Sequence, residues 1–195
     1  MNSDSITVLD RAISLAVRAH AGTRRGVDDL PYILHPMEAA VIAATMTNDP
    51  EILAAAVLHD TVEDAGVTLR EIEDVCGRRV ANLVASETET RLPDMDAAQS
   101  WQARKSESLS RLAVAEDPGT KIMWLSDKLA NVRGYYRYRQ RHGEDVWSLF
   151  HQTDKKKHEW YYRSILDLLA DLRDTDAYRE YERLVNTLFG GNRDE

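Results

Sequence analysis

The segment Pro50–Asp64, PEILAAAVLHDTVED, constrains the fold more than any other stretch of the chain. Its apolar residues do not form a stripe, because every residue from Ile52 to Leu58 is apolar. A helix that is apolar all round has to be covered on all sides by its own protein. That buried rod ends in His59-Asp60, with Glu63-Asp64 following one turn later. On a continuous helix, residues four apart are only about 40° out of line. His59 is therefore expected over Glu63, and Asp60 over Asp64. Uncompensated buried charge is expensive, and buried charges are usually paired or bound to a metal. The competing reading is a helix end that dips into solvent and exposes its acids. Acids near a helix C-terminus oppose its dipole, which disfavours that reading.

What surrounds the rod reads as more helix. The chain has only two phenylalanines and is rich in Ala, Leu, Arg and Glu, which favours helix over sheet. Pro31, Pro36, Pro50, Pro93 and Pro118 fall between periodic stretches. Ser5 to Ala21 reads as a first helix with Gly22 as its stop, and a second runs from about Pro36 to Met46. Asn48 or Asp49 can cap the rod, with Pro50 in its first turn. Thr68–Cys76 and Arg78–Ala85 form two short helices split by Gly77, and residues 86–97 read as loop. Helices follow at Ala98–Ala115 and Lys121–Val132. After Gly134 the basic run YYRYRQRH leads to Gly143. Asp154–Leu172 and Thr175–Phe189 close the fold before the polar tail GGNRDE. With no defensible strand, repeat or linker, the expectation is one all-α domain over 1–195, a bundle of about eight to ten helices.

Charge excludes several functions. The 195 residues carry a formal net charge of −8, which argues against a nucleic-acid polymer as partner and against a polybasic membrane-surface protein. A small anionic ligand stays possible, because a few local bases can hold one. Cys76 is the only cysteine, so no intramolecular disulfide can form and a cysteine-built zinc site is disfavoured. The N-terminus lacks the pattern of a secretory signal, and the longest apolar run, seven residues, is far short of a membrane span. A cytoplasmic protein is expected, and a homo-oligomer is left open.

Two further positions bear on the cluster at 59–64. His35, in PYILHP, is expected at a buried loop-to-helix junction; alone it reads better as a histidine satisfied by a backbone carbonyl than as a ligand. Asp127 and Asn131 lie opposite the apolar stripe of Ile122, Leu125, Leu129 and Val132, which would ordinarily be a solvated face. Trp124 on that same side speaks against solvent.

Together, HAGTRRGVDDLPYILHP, AAAVLHDTVED and KIMWLSDKLANVR, in that order and spacing, resemble the HD-domain phosphohydrolases. More narrowly they resemble the small alarmone hydrolases and the hydrolase domain of RelA/SpoT-type proteins. The match covers about residues 8–135, with residues 136–195 matching more loosely. The resemblance implies an HD-type helical bundle and a Mn²⁺-dependent (p)ppGpp 3′-pyrophosphohydrolase without synthetase activity, with a small-molecule nucleotide as substrate. It implies one divalent ion held by His35, His59, Asp60 and Asp127, a mixed nitrogen and oxygen set suited to manganese-like ions. It also implies Glu63 and Asp64 as catalytic acids, Arg24 stacking on the base, and Asn131 near base and sugar. Arg25 and Lys128 are candidate phosphate contacts, with solvated surface as the alternative for both. Tyr135, Tyr136, Tyr161 and Tyr162 are candidates for a tyrosine lining the base pocket.

The chain departs from that pattern in two places. Where the family usually has a lysine after the helix ending LVxxxT, this chain has Glu89 and Thr90, with Arg91 the nearest base. GVDDL, after Arg25, adds two acids beside an anion site. The first departure keeps open an adenosine alarmone or a nicotinamide dinucleotide phosphate as substrate. A non-catalytic module that binds an alarmone or neutralises a partner is the remaining alternative. YYRYRQRH could stack nucleic-acid bases, but at this net charge it reads rather as a solvated helix end or pocket wall.

Overall fold

Short polar side chains set the helix starts. A computed structural model describes residues 7–89, 97–143 and 146–190. Thr7 caps α1 (Val8–Ala19) in a reciprocal arrangement with Asp10, and Thr68 does the same with Glu71 for α5 (Leu69–Cys76). Asp49 caps α3 (Pro50–Leu58), and Asp117 caps α8 (Pro118–His142) by accepting from the Gly119 amide. Between these lie α2 (Leu34–Ala43), the single turn α4 (Thr61–Asp64), α6 (Arg78–Glu87) and α7 (Ala97–Ala113). After α8 come a 3₁₀ turn at Val146–Leu149, α9 (Lys155–Leu168), another at Ala170–Leu172, and α10 (Asp176–Phe189). Ten α-helices and no strand are found among the described residues, as an all-α chain of eight to ten helices requires. No helix among them is long and apolar enough to cross a membrane.

The rod is buried as its composition demands. Ile52 and Ala54 through Leu58 lie in the core, and α3 packs against α1, α2, α6 and α8. Leu58 is wholly buried, a contribution of about 1.5–3 kcal/mol for one such side chain. The second central element is α8, buried continuously from Met123 to Ala130 and packed against α2, α3, α6 and α10. Asp127 therefore does not face solvent, and Trp124 is buried beside it.

Several boundaries differ from the sequence expectation, among them the end of α2 at Ala43 and of α9 at Leu168, and two have a plain physical reason. The first concerns α8, which runs straight through Gly134 to a left-handed Gly143. A helix-interior glycine costs about 1 kcal/mol relative to alanine, and tertiary contacts offset it. Arg133 pairs with Glu180 of α10, Arg137 with Glu38 of α2, and Arg139 donates to the Thr187 carbonyl. YYRYRQRH is thus helix: Tyr135 forms part of a cavity wall, Arg137 and Arg139 tie it to its neighbours, and Gln140, Arg141 and His142 make a solvated end.

The second difference is that α3 stops at Leu58 instead of continuing to Asp64. The first and last expected segments extend into residues 1–6 and 191–195, and Arg91 and Pro93 fall in 90–96; these lie outside the described residues.

Arg79 of α6 ties the two central helices together. Its guanidinium meets Asp49 Oδ2 at 2.6 Å, Glu51 Oε2 at 3.0 Å and Asp117 Oδ2 at 2.9 Å. Asp49 and Asp117 are the N-caps of α3 and α8, so one side chain holds the starts of both.

Candidate metal centre

The break after Leu58 shapes the centre. The Thr61 hydroxyl donates to the Leu58 carbonyl at 2.7 Å, taking an acceptor that a continuing helix would use. His59 and Asp60 occupy the resulting turn, and the Asp64 amide donates to the Asp60 carbonyl to start α4. From α2, whose second residue is His35, and from the middle of α8 at Asp127, two more side chains reach the same point.

His35 Nε2 lies 3.0 Å from Asp127 Oδ1 and 3.3 Å from Asp60 Oδ2. His59 Nε2 is 3.2 Å from each of the same two oxygens, and the two imidazole Nε2 atoms are 3.3 Å apart. His35, His59 and Asp127 are buried. His59 Nδ1 sits 2.8 Å from the Ala56 carbonyl, which can only accept. Nδ1 therefore carries the hydrogen, and the Nε2 lone pair of a neutral His59 faces carboxylate oxygens. Acceptors pointed at acceptors need a cation between them, and a divalent ion fits this donor set.

In the absence of an ion a proton answers the same demand. Burial lowers the His59 pKa, but Asp60 and Asp127 outweigh it and hold it well above the ordinary value. Burial likewise opposes the ionised forms of Asp60 and Asp127. Yet the histidines hold Asp60 well below the usual carboxylate range, and Lys128 with the histidines does so for Asp127.

A second tier fixes the acids. Asn131 Nδ2 donates to Asp127 Oδ1 at 2.6 Å, and the Arg25 guanidinium donates to Asn131 Oδ1. Lys128 is not solvated surface: its ammonium is buried between Asp127 and Glu87, 2.8 Å from Glu87 Oε1, with the Trp124 ring 4.9 Å away. Burial pushes the Glu87 carboxyl up to about 7 against the pull of Lys128. Tyr32 places its hydroxyl 2.9 Å from Asp60 Oδ2 and 2.5 Å from Asp64 Oδ2. Burial, then the two carboxylates, push that phenol far above its ordinary pKa, so it remains a donor.

These groups open on a cavity of about 200 Å³. Its wall includes His35, Asp60, Asp127, Glu63, Asn131, Arg25 and Lys128. Tyr135, Tyr161 and Tyr162 line it too, whereas Tyr136 does not. Glu63 accepts from the Glu89 amide at 2.6 Å. Burial, then the charges of Glu89 and Asp60, raise its carboxyl above the ordinary glutamate value.

Two expected residues stand apart. Asp64 is exposed and joins the centre through Tyr32. Arg24 is exposed and turned to Asp29, whose carboxylate it meets at 2.7 Å, and it is absent from the cavity wall. Of the added acids of GVDDL, Asp29 thus engages Arg24, while Asp28 accepts from the Leu30 amide. Sequence reasoning missed Glu87 and Lys105 as cavity residues. For Glu87 no local signal exists, since only the packing of α6 on α8 brings it to Lys128. Lys105 carried a faint one, a basic Arg104-Lys105 pair four residues after Trp101 of α7.

The HD domain family matches residues 12–154. The chain belongs to that family. A protein from Aquifex aeolicus, named guanosine-3′,5′-bis(diphosphate) 3′-pyrophosphohydrolase, is 36% identical over 132 residues, 68% of this chain and 18% of the relative. A protein named GTP pyrophosphokinase rsh from Brucella ovis is 34% identical over 126 residues, 65% of this chain and 16% of the relative. The chain thus spans less than a fifth of the length of these curated relatives. A crystal structure from Listeria monocytogenes superposes with a TM-score of 0.69 at 28% identity, covering 80% of this chain and 99% of that one. A metazoan SpoT ortholog described as hydrolysing ppGpp shares the fold, with a TM-score of 0.69 at 22% identity, covering 92% and 94% of the two chains.

Proposed function

We propose that this HD domain is a Mn²⁺-dependent 3′-pyrophosphohydrolase of ppGpp and pppGpp, releasing GDP or GTP and pyrophosphate. The observation that carries the reading is the convergence of His35, His59, Asp60 and Asp127 on one point, at a cavity whose wall also holds Glu63. The names of the Aquifex and metazoan relatives supply the substrate class.

His35, His59, Asp60 and Asp127 would hold the ion. When bound, it would supply positive charge to a phosphoryl oxygen and acidify water. Glu63 would accept the proton of the attacking water, with its carboxylate aimed by the Glu89 amide. Water attacks the phosphorus attached to the ribose 3′-oxygen. That P–O bond breaks, and Glu63 returns the proton it accepted to the departing 3′-oxygen, with Asp64 acting on the centre through Tyr32. Tyr32 orients Asp64 against Asp60. Arg25, Lys128 and Asn131 would contact phosphate and sugar from the cavity wall. Arg24 would reach the base by leaving Asp29. A tyrosine from the trio 135, 161 and 162 would line the base pocket.

Further parts of this reading are one HD-type unit over the whole chain, a cytoplasmic location in keeping with the buried Cys76 thiol, and no synthesis of alarmone. Purified protein is expected to convert ppGpp with Mn²⁺ to GDP and pyrophosphate, and Asp60→Ala to abolish turnover while retaining helical circular dichroism. Turnover indifferent to Asp60→Ala would sink the assignment. Because Glu89 stands where the family usually has a lysine, an adenosine alarmone and NADPH belong in the same assay. Preferential cleavage of either would redirect the substrate while leaving the metal chemistry in place.

A further inference from the structure

Glu87 stands where a carboxylate is poorly placed on two counts. It is the last residue of α6, so its charge opposes the helix dipole. Its side chain is only 6% exposed, and a buried charge is costly unless paired. Its pair is the Lys128 ammonium of α8, 2.8 Å from Oε1. A buried ion pair adds little stability over apolar side chains of the same volume. Joining α6 to α8 is therefore a weak reason for this pair, and what the pair touches supplies a better one.

The two oxygens of Asp127 are divided between two tasks. Oδ1 lies 3.0 Å and 3.2 Å from the Nε2 atoms of His35 and His59, where an ion would bind. Oδ2 meets the Lys128 ammonium. That contact fixes the carboxylate, but a cation on one oxygen also opposes the approach of a second cation to the other. Asp127 and Lys128 together carry no net charge. Glu87, on the same ammonium, brings the three to −1. Their side chains are 5%, 11% and 6% exposed for Asp127, Lys128 and Glu87, so solvent and salt screen these charges little. The Trp124 ring, 4.9 Å from the ammonium, holds it without adding formal charge.

We propose that Glu87 is a positioning residue of the metal centre: it offsets the charge of Lys128, so that the ammonium orients Asp127 without neutralising it as a ligand. The chain thereby keeps a rigid carboxylate that still attracts a divalent ion. This rests on the reading that His35, His59, Asp60 and Asp127 hold such an ion. It does not depend on which nucleotide is the substrate.

The test is Mn²⁺ binding by the full chain without nucleotide, titrated calorimetrically. It is run at pH 8, on the ionised side of the Glu87 carboxyl at about 7. Glu87→Gln keeps the size of the side chain and an oxygen for Lys128, and removes one charge. It is expected to weaken Mn²⁺ binding about 10–100-fold, the usual cost of losing a partner of a metal ligand. Its helical circular dichroism should be unchanged. Glu87→Gln combined with Lys128→Met removes one charge of each sign and is expected to recover most of the affinity. A merely structural role for the pair would weaken binding further in that double variant. Equal binding by Glu87→Gln, or a double variant that binds no more tightly than Glu87→Gln, overturns the proposal. If Glu87→Gln does not fold, Lys128→Met alone decides. With the cation beside Asp127 gone, it should bind Mn²⁺ at least as tightly as the unaltered protein, and weaker binding overturns the proposal. If the unaltered protein binds no Mn²⁺, the metal reading falls and the role of Glu87 with it. If it binds Mn²⁺ and Glu87→Gln binds it equally, the role of Glu87 falls alone.

Discussion

Glu63 is the residue whose environment speaks most directly to catalysis. Burial and the neighbouring charges of Glu89 and Asp60 raise its carboxyl, so its proton-accepting form is populated only above the ordinary glutamate range, about 4.3. The rate kcat is therefore expected to rise with pH along a limb set by the ionisation of this carboxyl. Glu63→Gln should lower kcat by about 10²–10⁴-fold and abolish the limb. An acid limb that persists unchanged in Glu63→Gln would count against this role. His59, Asp60, Glu63 and Asp64 were legible in the sequence because charge at the end of an apolar rod demands an explanation. The burial of His35 and Asp127 was legible once Tyr32, Ile33 and Trp124 were weighed. Glu87 was not, since its neighbour Lys128 lies 41 positions away in sequence and only helix packing unites them. The outward turn of Arg24 depends on a left-handed Asp29, a backbone detail that residue types alone do not encode.

At the scale of elements, Arg79 couples the starts of the two helices whose far portions carry the candidate ligands. Its hydrogen bonds are the main reason the Asp49 and Asp117 carboxyls lie below their ordinary values. Each is about a third exposed, so each pair contributes only about 0.2–1 kcal/mol. Arg79→Met is expected to cost about 1–2 kcal/mol in urea unfolding at neutral pH. The sign with pH follows from the lowered carboxyls. Their contribution is complete above the unfolded aspartate value, about 4, and disappears as pH falls through the folded values below it. The difference between the two proteins should be constant near neutrality and shrink below about pH 4; a difference that grows on acidification would exclude the clamp. Helix existence was legible from periodicity, from the cap at Asp49 and from segment starts at Thr68 and Thr175. Helix ends were less so, because Gly134 is tolerated through arginine pairs to α2 and α10, and Thr61 ends α3 by a side-chain bond that has no periodic signature.

For the whole molecule, the charge of −8 gains a location. Asp60, Asp127, Glu63, Glu87 and Glu89 face one cavity, and a divalent ion would reverse the local sign. An ion that binds only the folded chain stabilises it by about 2.7 kcal/mol at 100 times its Kd. For a chain this size that corresponds to about 5–10 °C in Tm. Chelation by EDTA is expected to lower Tm by that amount, and Mn²⁺ to restore it. Asp127→Asn should make the melt insensitive to both. A melt of the unaltered protein that ignores EDTA and Mn²⁺ alike would argue against an ion in the folded state.

Gly119 gives these scales a common point. A Cβ there would stand 2.8 Å from Ile52 Cγ1 and 2.9 Å from its Cδ1. The start of α8 thus lies against α3 as closely as a bare backbone permits. From Gly119 to Asp127 is about 12 Å along α8, and from Ile52 to His59 about 10 Å along α3. Two stiff rods touching at one end and presenting ligands at the other behave as the arms of a caliper. A single methyl group at the hinge would press on Ile52, and wherever that side chain cannot turn aside the gap between imidazole and carboxylate changes with it. Metal preference in such a protein can therefore drift by mutation at a position that touches neither ion nor nucleotide.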